Sequence, residues 1–165
     1  MAINTGRCIV SDTNIWYFYY YAKNKNIRNI ITEIIEYMIE KFKNNGYILL
    51  YTTLTEQEIR KTSRLNNIDK KNMLYFVKTN GVKINAKNYL KIVKVLASEF
   101  FGLKNIEKEN FIQKHAHDLA IALAAFENNC ILITADAFLA FLALELISFN
   151  EYYNNSRLIF IPAQI

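Results

Sequence analysis

Acidic residues stand at the places in this chain where a cation could be gathered. Asp12 follows the apolar run Cys8-Ile9-Val10. Glu56 and Glu58 follow Tyr47-Ile48-Leu49-Leu50-Tyr51. Asp136 follows Ile131-Leu132-Ile133, and Asp118 precedes the run Leu119-Ala120-Ile121-Ala122-Leu123-Ala124-Ala125. Three of these four stations lie just past a predicted buried strand. In an open α/β sheet that carboxyl edge is where ligands bind. Carboxylates converging there repel one another unless a cation neutralises them, and hard oxygen ligands suit Mg²⁺ or Mn²⁺.

Taken singly, each acid also has a structural explanation. Asp12 and Asp136 are good N-caps for the helices that follow. Thr53-Leu54-Thr55-Glu56 and Thr55-Glu56-Gln57-Glu58 both read as capping signals. Asp118 is different, because its neighbours leave little polar face. An acid at the entrance of so apolar a helix needs a partner or a metal.

The elements that must position these residues alternate. Apolar runs at 7–11, 47–51, 82–84, 130–134 and 157–161 predict strands. Helical spacing predicts helices over 15–22, 27–43, 54–65, 69–79, 87–101, 110–127 and 137–147. Alternation of this kind implies a parallel sheet with helices on both faces. Nothing marks a linker, a repeat or a low-complexity segment, so residues 1–165 read as a single domain.

The 165 residues, 52% of them apolar, can bury a substantial core. Twenty basic against fifteen acidic residues give +5, a lean towards an anionic partner. Residues 60–94 hold ten basic residues and one acid, Asp69. Arg60, Lys61 and Arg64 open that segment two residues after Glu58 and are candidates for holding a phosphate backbone. Cys8 and Cys130 read as two buried thiols, without zinc spacing, in a reducing compartment. No stretch predicts a signal peptide or a membrane span, so a cytoplasmic location is expected. His115 and His117 do not face together on a helix, so a shared metal is not expected. His115 shares a face with Asp118, and helix-start or solvent roles are expected of both histidines. The aromatic run Trp16 to Tyr21 reads as core packing or a dimer seam before it reads as a base-stacking platform.

The segments Ser11-Asp12-Thr13-Asn14, Glu58-Ile59, Asp118-Leu119-Ala120-Ile121-Ala122 and Thr134-Ala135-Asp136 together resemble the four motifs of the PIN domain family, which includes toxin nucleases of VapBC-type pairs. The order and the 18-residue step from Asp118 to Asp136 match. The resemblance implies a three-layer α/β/α fold with a central, mainly parallel sheet. It implies a Mg²⁺- or Mn²⁺-dependent endoribonuclease, a hydrolase in which a metal-activated water cleaves RNA phosphodiester bonds. Asp12, Glu58, Asp118 and Asp136 would be the catalytic and metal-binding acids, with Asn14 and Thr134 as supporting polar residues. Glu58 is preferred to Glu56 because the family places its acid directly before an aliphatic residue, here Ile59. The family often carries a further acid two residues after the fourth; the run here is Asp136-Ala137-Phe138, so a second metal position loses a ligand. RNA, an antitoxin protein and a second copy in a homodimer are the implied partners. The alternatives are a non-catalytic PIN-like scaffold that binds RNA or protein, and a structure-specific DNA nuclease.

Overall fold

The computed structural model describes residues 7–163. Its strands are β1 (Cys8–Ser11), β2 (Ile48–Thr52), β3 (Val82–Ile84), β4 (Ile131–Thr134) and β5 (Arg157–Phe160). They form one sheet in the order β3-β2-β1-β4-β5, and every pairing is parallel. β1 and β4 are buried along their whole length. Near-continuous apolar runs are what a sheet covered on both faces requires.

The helices are α1 (Thr13–Asn24), α2 (Ile30–Asn44), α3 (Thr53–Lys61), α4 (Asn67–Asn80), α5 (Leu90–Val95), α6 (Asn105–Glu127) and α7 (Ala137–Phe149). Side chains alternate across each strand, and this divides the core in two. Cys8, Val10, Leu50 and Leu132 pack against Val93 of α5, Leu119 and Leu123 of α6, and Leu139 and Leu142 of α7. Ile9, Leu49, Tyr51, Ile131 and Ile133 pack against Ile15, Trp16 and Tyr19 of α1, Ile35 and Ile39 of α2, and Met73 and Val77 of α4. The aromatic run of α1 is therefore mostly core, one of the two roles its sequence leaves open, with Phe18 and Tyr21 only partly buried. The same alternation puts Asp12 and Thr134 on the α6 side, because they continue the series of Val10 and Leu132.

The turn from α4 into β3 needs Gly81. A Cβ there would lie 2.9 Å from Tyr51 Cδ1 and 3.0 Å from Trp16 Cη2. Any side chain would push this turn off the sheet.

Some expectations are corrected. The helix predicted over 110–127 begins at Asn105, so Asp118 lies well inside α6 and not at its entrance. The segment 87–101 is not one helix but a 3-10 turn (Ala86–Tyr89), α5, and a π-helical stretch (Leu96–Phe100). The cap of α3 is Thr52, whose hydroxyl accepts from Thr55 N at 3.2 Å; Thr53 and Thr55 lie within the helix. Cys8 and Cys130 are not separate thiols: they form a disulfide, with Cα atoms 4.7 Å apart. They lie one position before the paired residues Ile9 and Ile131, side by side on one face of the sheet. The cysteines thus give no argument for a reducing compartment.

Candidate active site

Chain order places the switch point of the sheet between β1 and β4. Succession runs outward from β1 through β2 to β3, then resumes on the other side with β4 and β5. A crevice at the carboxyl end of such a switch is the usual ligand site of open α/β sheets. Asp12 and Asp136 stand on its two sides.

Asp12 caps α1, its Oδ1 accepting from Ile15 N at 3.1 Å. Its Oδ2 accepts from the Thr134 hydroxyl and from Ala135 N at 3.3 Å. Burial nonetheless outweighs these bonds and raises the carboxyl pKa to about 6, with the charge of Asp136 adding to the rise. Asp136 caps α7, its Oδ1 accepting from Leu139 N at 2.9 Å. The capping explanation of both aspartates is thus correct, and it fixes them at the same crevice.

Asp118 projects from α6 where that helix turns from its exposed first half to the buried stretch 119–126. Burial, and then the charges of Glu58, Asp136 and Asp12 in that order, raise its pKa to about 7. All four sequence-predicted acids therefore lie within electrostatic reach of one carboxyl group. Glu58 is also pushed up by burial, against a hydrogen bond from Thr13 and the charge of His117. The Thr13 hydroxyl has one proton and a second neighbour, Thr55 Oγ1, at 3.5 Å. That contact is long for a hydroxyl pair, so the proton is better used on Glu58.

Glu56 faces elsewhere. Lys83 Nζ stands 3.2 Å from its Oε1 and Arg60 Nη2 stands 3.7 Å from its Oε2. Its Oε1 is buried without an aligned hydrogen bond. The Lys83 contact is thus an ion pair held off the hydrogen-bonding direction, and its short distance makes it the partner that matters.

Beside the acids lies a cleft of about 410 Å³ lined by Thr13, Asn14, Tyr17, Gln57, Glu58, Lys61, Thr62, Arg64 and His117. Glu58 is the acid that joins the carboxylate cluster to this wall. Lys61 and Arg64 line it as well, while Arg60 is turned to Glu56. Of the supporting polar residues, Asn14 is on the cleft wall and Thr134 is in the carboxylate network. Thr13, Tyr17, Gln57, Thr62 and His117 were not candidates from sequence. Helical spacing from known stations was the available signal: Tyr17 is four residues from Thr13, and Gln57 and Lys61 are four apart.

The donor set is one of hard oxygens, and no cation offsets the charges acting on Asp118 and Asp12. The cage itself is not formed: among the described residues, no three His, Cys, Asp or Glu side chains are grouped so that they could hold a metal ion.

No family profile matches the chain, and no curated protein does. Among solved structures it is similar to VapBC2 from Rickettsia felis, solved bound to a DNA fragment from their promoter. The TM-score is 0.54 at 16% identity, over 93% of this chain and 98% of that chain. At that identity the likeness is one of fold. The α/β fold with a central parallel sheet, expected from the resemblance of the motifs, is the fold observed.

Proposed function

We propose that this protein is a metal-dependent endoribonuclease of the PIN type, the toxin of a toxin–antitoxin pair. The observation that carries the reading is the crowding of negative charge at Asp118. A carboxyl that keeps its proton near neutrality through burial and, after it, the charges of the carboxylates around it is also a place where a divalent cation relieves repulsion. Asp118, Asp136, Glu58 and Asp12 would hold the ion, and their oxygens suit Mg²⁺ or Mn²⁺. The fit is one of charge and donor type, in a group that has not closed around an ion. When bound, the cation would lower the pKa of a water and offset charge on the phosphate.

The chain's own residues supply the rest. Thr134 with the backbone N–H groups of Ile15 and Ala135 fixes the Asp12 carboxylate, and Thr13 fixes Glu58. Lys61 and Arg64 face the cleft and would bind the phosphates of the RNA strand. Asn14, one turn before Tyr17 on α1, offers a polar amide to the same strand. The fold likeness to VapBC2 supports an antitoxin as partner. Among the described residues no helix is long and apolar enough to cross a membrane.

A non-catalytic scaffold of the same fold is the second reading. It is favoured by the open arrangement of the acids and by the protein hydrogen bonds that already occupy both oxygens of Asp12. Incubation of structured RNAs, with DNA hairpins as a comparison, in Mg²⁺, Mn²⁺ or EDTA separates the readings. The nuclease cleaves RNA in either metal, stops in EDTA, and is inactive as Asp118→Asn. RNA binding without cleavage under every metal condition would establish the scaffold instead.

A further inference from the structure

The two histidines of α6 have separate surroundings. Two positions on a helix differ by about 200° in direction, and the structure uses that difference. The His115 ring packs on Phe138, centroids 4.3 Å apart, with Phe111 at 5.4 Å. His117 is exposed and lines the cleft with Glu58, Lys61 and Arg64. Among the described residues no hydrogen bond or ring contact holds His117 in place. Packing therefore accounts for His115 and not for His117.

The composition of the wall says what His117 faces. Lys61 and Arg64 line it and neither forms an ion pair among the described residues, whereas the nearby Arg60, Lys83 and Lys25 are each paired with an acid. The wall thus carries two cations without an ion-pair partner against the single carboxylate of Glu58. An imidazole in either charge state carries at least one N–H donor. Lining the same cleft as Glu58 and the two cations, it has the chemistry to hold a phosphate oxygen there.

We infer that His117 is a substrate-contacting residue, donating a hydrogen bond to a phosphodiester oxygen of RNA seated in this cleft. The inference rests on the nuclease reading, and binding without metal tests it apart from cleavage. The probe is a short fluorescein-labelled RNA oligonucleotide, followed by anisotropy in EDTA. His117→Ala weakens binding about three- to tenfold, the loss of one charge-assisted contact, and His117→Gln, which keeps an N–H donor, restores most of it. In Mg²⁺ the alanine variant raises KM with kcat little changed. Unfolding curves that overlay the wild type show that the fold is intact.

If His117→Ala binds as wild type, or His117→Gln is as weak as His117→Ala, the hydrogen bond is overturned and the nuclease reading stands. A wild type that binds in a His117-dependent way without ever cleaving leaves the contact in place and overturns catalysis. A wild type that neither binds nor cleaves overturns both.

Discussion

The hydroxyl of Thr134 donates to Asp12 and accepts from the backbone N–H of Asp136 at 3.0 Å. One oxygen thus ties the acid that follows β1 to the acid that follows β4. Thr134→Val keeps the shape and removes both bonds. It should cost about 1–3 kcal/mol, more above pH 7, where Asp12 is ionised, than at pH 5. Thr134→Ser should recover most of the loss. Urea unfolding at the two pH values checks both statements, and equal stability of wild type and valine variant would show that the shared oxygen does not couple the strands.

The metal-free protein should lose stability as pH rises from about 4 towards 7. Asp118 has a folded pKa of about 7 and Asp12 one of about 6, both raised from 3.8. Between the unfolded and folded values the native state binds more protons than the unfolded chain, so stability is greatest on the acid side of this window. It falls as pH passes upward through the folded values and levels off above them. The two groups interact, so the transition belongs to the cluster rather than to either residue. Asp118→Asn should flatten the curve. Mg²⁺ or Mn²⁺ should raise the melting temperature of the wild type above pH 7, by linkage, and leave Asp118→Asn little changed. A wild-type stability that rises through this range in EDTA would contradict the charge crowding.

Glu56 and Glu58 should separate cleanly. Glu58→Gln should abolish cleavage while leaving stability equal or better, since one member of a repelling set is gone. Glu56→Gln should keep activity and lose about 1 kcal/mol or less, from weakened pairing with Lys83 and Arg60 in a partly screened setting. Cleavage assays beside thermal melts decide it, and the opposite pattern would move the metal-facing role to Glu56.

Salt should weaken RNA binding steeply, because phosphate contacts release counterions. Lys61→Ala combined with Arg64→Ala should flatten the slope of log affinity against log salt by roughly two contacts' worth. Arg60→Ala should leave the slope nearly intact and act on stability through Glu56. An anisotropy titration over a salt series distinguishes them. Equal slopes in all three proteins would assign the basic segment to a protein partner or to plain solvation.

The acids after β1 and β4 were legible because buried strands announce themselves as apolar runs and the chain must end each with a polar cap. Asp118 was legible as the one charge beside a stretch of alanines and leucines. The start of α6 was hidden for a physical reason. Lys104 at its N-cap makes no side-chain capping bond, and Asn105 has φ 52°, so no capping motif marks the boundary. The preference for Glu58 rests on the resemblance alone, and what no linear reading offers is the pairing of Glu56 with Lys83 and Arg60. Arg60 reads from sequence as equivalent to Lys61 and Arg64, because only the fold shows its pairing with Glu56. His117 reads from sequence as a helix-start or solvent residue, because only the fold brings it to the cleft that Glu58 and Lys61 line. The pairing of Cys8 with Cys130 depended on strand order, which a linear reading of alternating elements does not fix.

The cystine has a mechanical consequence. It joins residues 122 apart in sequence, across the two central strands. A chain pulled from both ends would carry tension from Cys8 straight to Cys130 and bypass everything between them. Only the segments outside the bridge would extend, and about 40 nm of contour length would stay hidden until the sulfurs were reduced. A processive unfolding machine that engages the carboxyl end would strip β5, α7 and β4, then meet a covalent loop containing β2, β3 and six of the seven helices. Single-molecule stretching with and without a reductant should show that hidden length appear only after reduction.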